Sequence, residues 1–465
     1  MPGIPPAGRR MNLTATHFEI VLGTLFIVVA AVLLLQQRRT PQSTAAWLLF
    51  IIAVPYLAIP LFIALGFRKQ GARFPPIRYS ADGKDPPTPV QGELDDMFRR
   101  FGLPPARTGN RFELLDSPQS ALGALMALVD GAEHSLDALF YVVSDDPVGE
   151  VFVDALERKA RQGVAVRLAM DRLGSLRYPA AAVLRLREAG GEVRFFSPLL
   201  QAPDTSRLNL RNHRKMAIAD GARVFAGGMN VGTAYMDPNP RHAPWTDLAF
   251  RVDGPVVQSY VDLFHSDWDV TGKTRSDVPP PRLLTGADTA VAQLVPSGPD
   301  MPIDALHDGV VRAIHLARFR VWLVTPYFVP TEQLDAALAT AARRGVDVRI
   351  LLPERSNQRI ADRARGAYLR EMAEAGCRVF LFRDGMIHAK TAVFDSAAYV
   401  GSANFDVRSM LLNFESALFL YDAESVKKLA DWHLRQEDLC QEGLHLAGPV
   451  QRLAEGLFRL GAPIL

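Results

Sequence analysis

The chain has 465 residues, a formal net charge of +2 and 48% apolar residues. That length allows roughly two to four ordinary domains with a large buried core, and the balance excludes both a disordered polyelectrolyte and a strongly basic nucleic-acid binder. Cys377 and Cys440 are the only cysteines, too few for a disulfide framework and not spaced as a metal knuckle, so a reducing compartment is allowed.

Two apolar segments open the chain. Ile20–Leu35 and Ala45–Phe67 carry no charged side chain, and they predict two transmembrane helices at about 17–36 and 45–67, the length needed for ~30 Å of hydrocarbon. Gln36-Gln37-Arg38-Arg39 stands where a signal peptide would place a small-residue cleavage site, which argues against removal of the first segment. Pro55 and Pro60 interrupt the second and are expected to kink it or make it partly re-entrant. Arg9 and Arg10 precede the pair and Arg68, Lys69 and Arg73 follow it, against Arg38 and Arg39 between. That balance places both ends inside and the remainder in the cytoplasm. The bases after the second helix are also placed to lie on anionic headgroups. Residues 71–110, with Pro75, Pro76, Pro86, Pro87 and Pro89, read as a linker after a membrane anchor at 1–70.

Beyond about residue 110, short β-branched runs alternate with Ala- and Leu-rich helical stretches, the pattern of an α/β fold. The pattern occurs twice. Asp154 to Leu168 and Asp335 to Ile350 both read as a helix, a glycine cap (Gly163, Gly345) and a strand. Apolar strands ending near Tyr141 and Tyr327 precede them, and a His-x-Lys tripeptide follows each. Order and spacing predict two similar domains packed together, at 111–285 and 286–465, rather than a solenoid.

The chemistry-bearing residues recur with the same duplication. His213-x-Lys215-x4-Asp220 is followed by Gly227-Gly228-Met229-Asn230, and His388-x-Lys390-x4-Asp395 by Gly401-Ser402-Ala403-Asn404. On a strand, residues two apart face the same side, so each His and Lys can address one anion. A phosphodiester requires a nucleophile on phosphorus, a proton for the leaving alkoxide, and positive charge at the phosphoryl oxygens. Two histidines, two lysines and the asparagines Asn230 and Asn404, with Ser402, supply these through a phosphohistidine, in a scheme that calls for no metal or cofactor. Asp247 and Glu415, at comparable points downstream of the two motifs, are the expected partners that fix the imidazole tautomers. Asp220 and Asp395 end the motif strands, where a structural part is expected. One such motif could be an ordinary strand followed by an Asp turn. Two matched copies in a chain with only eight lysines point to a site.

The paired motifs resemble the phospholipase D superfamily. Further stretches resemble the bacterial cardiolipin synthases: Arg38-Arg39-Thr-Pro41 through Trp47, Leu210 to Lys215, Gly227 to Gly232, Phe264-His-Ser-Asp267-Trp268, Thr325 to Pro330 and Gly401 to Ser409. The resemblance runs from about residue 20 to the C-terminus, leaves Met1–Arg10 unmatched and makes Met11 an alternative start. It implies two phospholipase D-type domains, each a mixed β-sheet flanked by helices, forming a pseudo-twofold pair behind the two transmembrane helices. It also implies a multi-pass protein of the bacterial inner membrane that joins two phosphatidylglycerols into cardiolipin with release of glycerol. Carried over by position, His213, Lys215, Asp220, His388, Lys390 and Asp395 are the catalytic residues, with His213 attacking and His388 as acid by the family's habit. The expected partners are phosphatidylglycerol and anionic membrane lipids, not nucleic acid. A hydrolase making phosphatidic acid is the nearest alternative, and a catalytically silent lipid-binding scaffold a more distant one.

Overall fold

The computed structural model describes residues 13–36, 41–65, 74–80, 92–196, 210–237, 244–272 and 289–460. Arg9, Arg10, Arg38, Arg39, Arg68, Lys69, Arg73, Pro86, Pro87, Pro89 and the Met11 start lie outside the described residues. The chain divides into two compact units, with the boundary between Gln70 and Gly71.

Among the described residues the N-terminal unit holds three helices, α1 (Leu13–Leu35), α2 (Pro41–Ala53) and α3 (Pro55–Leu65). The second expected span is therefore two helices. Pro55 has no N–H to donate and disfavours helical backbone at Val54, and the pieces rise only about 20 and 16 Å. Among the described residues no helix is long and apolar enough to cross a membrane, so the expected transmembrane pair is not seen. Ala30, Leu34, Trp47, Ile51, Ala58 and Phe62 pack together, with Trp47 edge-on to Phe62 at 5.2 Å. Leu25, Phe26, Leu35, Leu49, Ile52, Tyr56 and Leu57 face outward.

The second unit is built on one fifteen-stranded mixed sheet. Its first half contributes β1 (Arg107–Leu115), β2 (Ser135–Phe140), β3 (Ala165–Asp171), β4 (Glu192–Phe196), β5 (Met216–Ala219), β6 (Arg223–Gly227) and β7 (Ala249–Asp253). The second contributes β8 (Ala290–Ser297), β9 (Arg320–Val324), β11 (Asp347–Pro353), β12 (Arg378–Phe382), β13 (Thr391–Phe394), β14 (Ala397–Gly401), β16 (Glu415–Leu420) and β17 (Cys440–Glu442). The short β10 (Phe328–Val329) and β15 (Phe405–Asp406) pair separately. From the centre outward, the order β1-β7-β6-β5-β2-β3-β4 on one side matches β8-β16-β14-β13-β9-β11-β12 on the other. The halves meet where β1 pairs antiparallel with β8. Buried Asn110 closes that seam, donating to the Ala290 carbonyl and accepting from Val256 N–H.

Helix caps follow the sequence. Asp146 accepts from Val148 and Gly149 at one helix start and Thr331 from Leu334 at the matching one. Gly163 and Gly345 end these helices with φ of 88° and 87°, the left-handed backbone in which glycine carries no Cβ penalty. Parallel strands β2-β3-β4 and β9-β11-β12 bring their C-terminal ends to the edge where the two His-x-Lys segments begin β5 and β13.

Candidate active site

Each histidine is held by the opposite half of the molecule. The backbone around His213 pairs with that around Phe414: His213 N–H donates to the Phe414 carbonyl (2.9 Å) and Phe414 N–H to the Arg211 carbonyl (3.0 Å). The second motif repeats the arrangement, with His388 N–H donating to Thr246 O (2.7 Å) and Thr246 N–H to Met386 O (2.8 Å). These crossed ladders bring Asp247 of the first half to His388 and Glu415 of the second half to His213. His388 Nδ1 lies 2.6 Å from Asp247 Oδ2, and His213 Nδ1 lies 3.3 Å from Glu415 Oε1. At His388 the Asp247 oxygen is within hydrogen-bond reach of Nδ1, which the Lys390 ammonium also approaches (2.6 Å), while at His213 the carboxylate stands at ion-pair distance. The Tyr141 ring lies 4.1 Å from His213, while Trp245 and Tyr235 flank His388 at 5.0 and 5.5 Å.

Lys215 and Lys390 are buried beside the histidines, and each Nζ donates to the carbonyl of its own motif histidine. Burial lowers Lys215 below the ordinary lysine range and brings Lys390 down to about 7, against the pull of Asp247. Burial, then the Lys390 charge, pushes His388 down to about 4 despite the Asp247 carboxylate. Because the charged form of Lys390 is the disfavoured one, it loses its proton as pH rises through about 7. The expected result is a kcat/KM for an anionic substrate that falls above pH 7 by about tenfold per unit; a profile flat to pH 9 contradicts it.

The turn residues after each strand position the acids. A Cβ at Gly228 would stand 2.4 Å from Asp247 Oδ1, so only glycine leaves the carboxylate in place. The matching Ser402 donates its hydroxyl to Glu415 Oε2 at 2.5 Å. Ser402, expected at phosphate, here holds an acid with its hydroxyl. Asn230 Oδ1 accepts from Val142 N–H, its side chain also bonds Tyr235, and Asn404 is its buried counterpart. Gly228→Ala is expected to displace Asp247 and lower turnover about a hundredfold with little loss of folding, checked by kcat and thermal melting together.

Arg214, between His213 and Lys215, is a residue that motif reasoning left without a role. Fully buried, it donates to Asp267 (2.7 Å), to Asp300 (3.1 Å), and to the carbonyls of Ser297 (3.0 Å) and Glu415 (3.1 Å). It joins the halves directly behind the site. Its signal was the Phe264-to-Trp268 stretch carrying Asp267.

Asp220 and Asp395 stand at the other ends of β5 and β13, away from the histidines. Asp220 accepts backbone N–H groups of Glu133, His134 and Ser135, and Asp395 those of Arg318, Phe319 and Arg320. Both occupy left-handed backbone, with φ of 54° and 29°. Both carboxylates clamp the start of β2 and β9. Asp395→Ala is expected to cost about 1–3 kcal/mol of stability, while the folded fraction keeps its turnover.

Two His-x-Lys segments converging with crossed carboxylates at the edge of a duplicated mixed sheet define a phospholipase D-type phosphotransfer site. The family model described as cardiolipin synthase, PLD-like domain, matches residues 125–268 and 310–435. Cardiolipin synthase A of Pseudomonas fluorescens (strain SBW25) is 33% identical over 97% of this chain and 98% of its own length. Cardiolipin synthase of Geobacillus kaustophilus (strain HTA426) is 31% identical over 91% and 89%. The crystal structure of phosphatidylserine synthase of Haemophilus influenzae Rd KW20 superposes with a TM-score of 0.62 at 16% identity, over 80% of this chain and 100% of that one, a likeness of fold. The chain belongs to the bacterial cardiolipin synthase family of the phospholipase D superfamily.

Proposed function

We propose that the chain transfers a phosphatidyl group from one phosphatidylglycerol to another. One imidazole Nε2 attacks phosphorus, the P–O bond to glycerol breaks, and the other histidine gives its proton to the departing glycerol oxygen. The hydroxyl of a second phosphatidylglycerol then attacks the phosphohistidine, its proton returns to the second histidine, and the P–N bond breaks to leave cardiolipin. Lys215, Lys390, Asn230 and Asn404 hold the phosphoryl oxygens as charge develops. The observation that carries this reading is the pair of crossed carboxylate–histidine contacts, by which each half of the duplicated fold holds the other half's histidine.

With His213 attacking, His388 has to be protonated when glycerol leaves, so the bound phosphodiester must raise it from about 4. A second reading exchanges the roles and is favoured by that same depression, since a neutral His388 is the form that attacks. Alkaline quenching during turnover and peptide mapping of the phosphorylated histidine decide between them. Label on either histidine supports the covalent scheme, and label on neither during turnover contradicts it.

The outward apolar side chains of α1, α2 and α3 support anchoring of this unit in the bacterial inner membrane, with the catalytic part on the cytoplasmic side. Such anchoring raises the local concentration of acceptor lipid over that in free solution and so favours transfer over hydrolysis to phosphatidic acid.

A further inference from the structure

The C-terminal helix Pro449–Leu460 is fixed on its inner side and bare on its outer one. Glu455 pairs with Arg370, and Arg459 with Glu371, on the helix Arg359–Glu374. Phe458 packs with Val329, Ala364 and Tyr368, and a Cβ at Gly366 would stand 2.4 Å from the Glu455 carboxylate. Contact this close defines the inward face. On the other face Val450 is 81% and Leu453 68% exposed, three positions apart on one helix surface, and Leu446, just ahead of the helix, is 100% exposed.

This stripe stands at the site end of the sheet. His445 Nε2 lies 2.9 Å from Glu354 Oε1, and Glu354 directly follows β11, whose C-terminal end points to the histidines. The same loop reaches Tyr327 through Asn357 Oδ1 at 2.5 Å. Ile360, in the first turn of the helix Arg359–Glu374, is exposed, and Arg355, Arg359 and Arg452 on these same segments are exposed cations.

We propose that Leu446, Val450, Leu453 and Ile360, ringed by Arg355, Arg359 and Arg452, dock the catalytic unit on an anionic lipid surface and hold the mouth of the site at headgroup depth. The apolar stripe enters the acyl boundary and the guanidinium groups meet lipid phosphates. A second copy fits poorly: a twofold contact over this face sets the arginines against their own equivalents. The surface rests on the phosphatidylglycerol reading only for its choice of lipid.

The test uses the full chain reconstituted in phosphatidylglycerol-containing nanodiscs, with an environment-sensitive fluorophore on Leu453→Cys, and on Val450→Cys as a second position should the first misfold. Phe319→Cys, an exposed site beside Asp395 at the far end of the sheet, is the control. Brominated acyl chains are expected to quench Leu453→Cys about twofold or more, less in discs of phosphatidylcholine alone, and to leave Phe319→Cys unquenched. Equal quenching at both ends, none at either, or probe burial that rises with protein concentration in lipid-free detergent overturns the proposal. Turnover of phosphatidylglycerol in the same discs separates the two claims: turnover without quenching removes the surface and keeps the function, and quenching without turnover does the reverse.

Discussion

Asp247→Asn is expected to lower phosphatidyl transfer about 10³- to 10⁴-fold, as happens where a histidine loses the acid that fixes its tautomer, while the protein still folds. The side chain is fully buried and 2.6 Å from His388 Nδ1. An amide there can present its N–H2 to the ring, making Nδ1 the acceptor and placing the proton on Nε2, where no attack is possible. The carboxylate also holds the His388 pKa up against burial and Lys390, so its loss shifts His388 further down. Proton NMR of the two imidazoles checks the crossing: the His388 ring resonances move and those of His213 stay. Movement of His213 instead would mean that each motif is served by its own half. Glu415→Gln is the mirror experiment, with His213 as the responding ring.

Arg214→Met is expected to cost about 3–5 kcal/mol, the scale for removing one partner of a buried ion cluster. Its guanidinium is the positive charge between Asp267 and Asp300, both buried. Burial already pushes Asp267 up to about 6, with Asp300 adding to the rise and Arg214 opposing it. Without Arg214 the two carboxylates face each other in a dry seam, and the Glu415 and Ser297 carbonyls lose their donor. Asp267→Asn in the same chain is expected to recover part of the loss, because one repelling charge is gone. Denaturant titration measures both. An unchanged midpoint in the single variant contradicts a structural role for the cluster.

The sequence carried the duplication clearly, because a helix, a glycine at positive φ and a strand recur at Gly163 and Gly345 with the same mechanism in each. His-x-Lys spacing and the placement of Asp247 and Glu415 were legible for the same reason. The crossing was not: Phe414 pairs with Arg211 and His213 across some two hundred residues, and nothing local to either stretch encodes a partner that distant. Ser402 read as a phosphate ligand because it shares a motif with Asn404, yet one position in a turn sets its hydroxyl on Glu415. Asp220 and Asp395 belong to the motif by spacing, but seven residues of extended chain carry a side chain up to about 23 Å from the histidine. The break at Val54 was signalled by Pro55, although apolarity alone read straight through it.

The most direct measurement incubates the purified full chain with phosphatidylglycerol labelled in its unacylated glycerol and resolves lipid and water-soluble products, beside His213→Ala and His388→Ala. The expected result is cardiolipin and free labelled glycerol in equal amounts, both lost in either variant. Phosphatidic acid in place of cardiolipin, or turnover that survives loss of either histidine, contradicts the shared two-histidine transferase site.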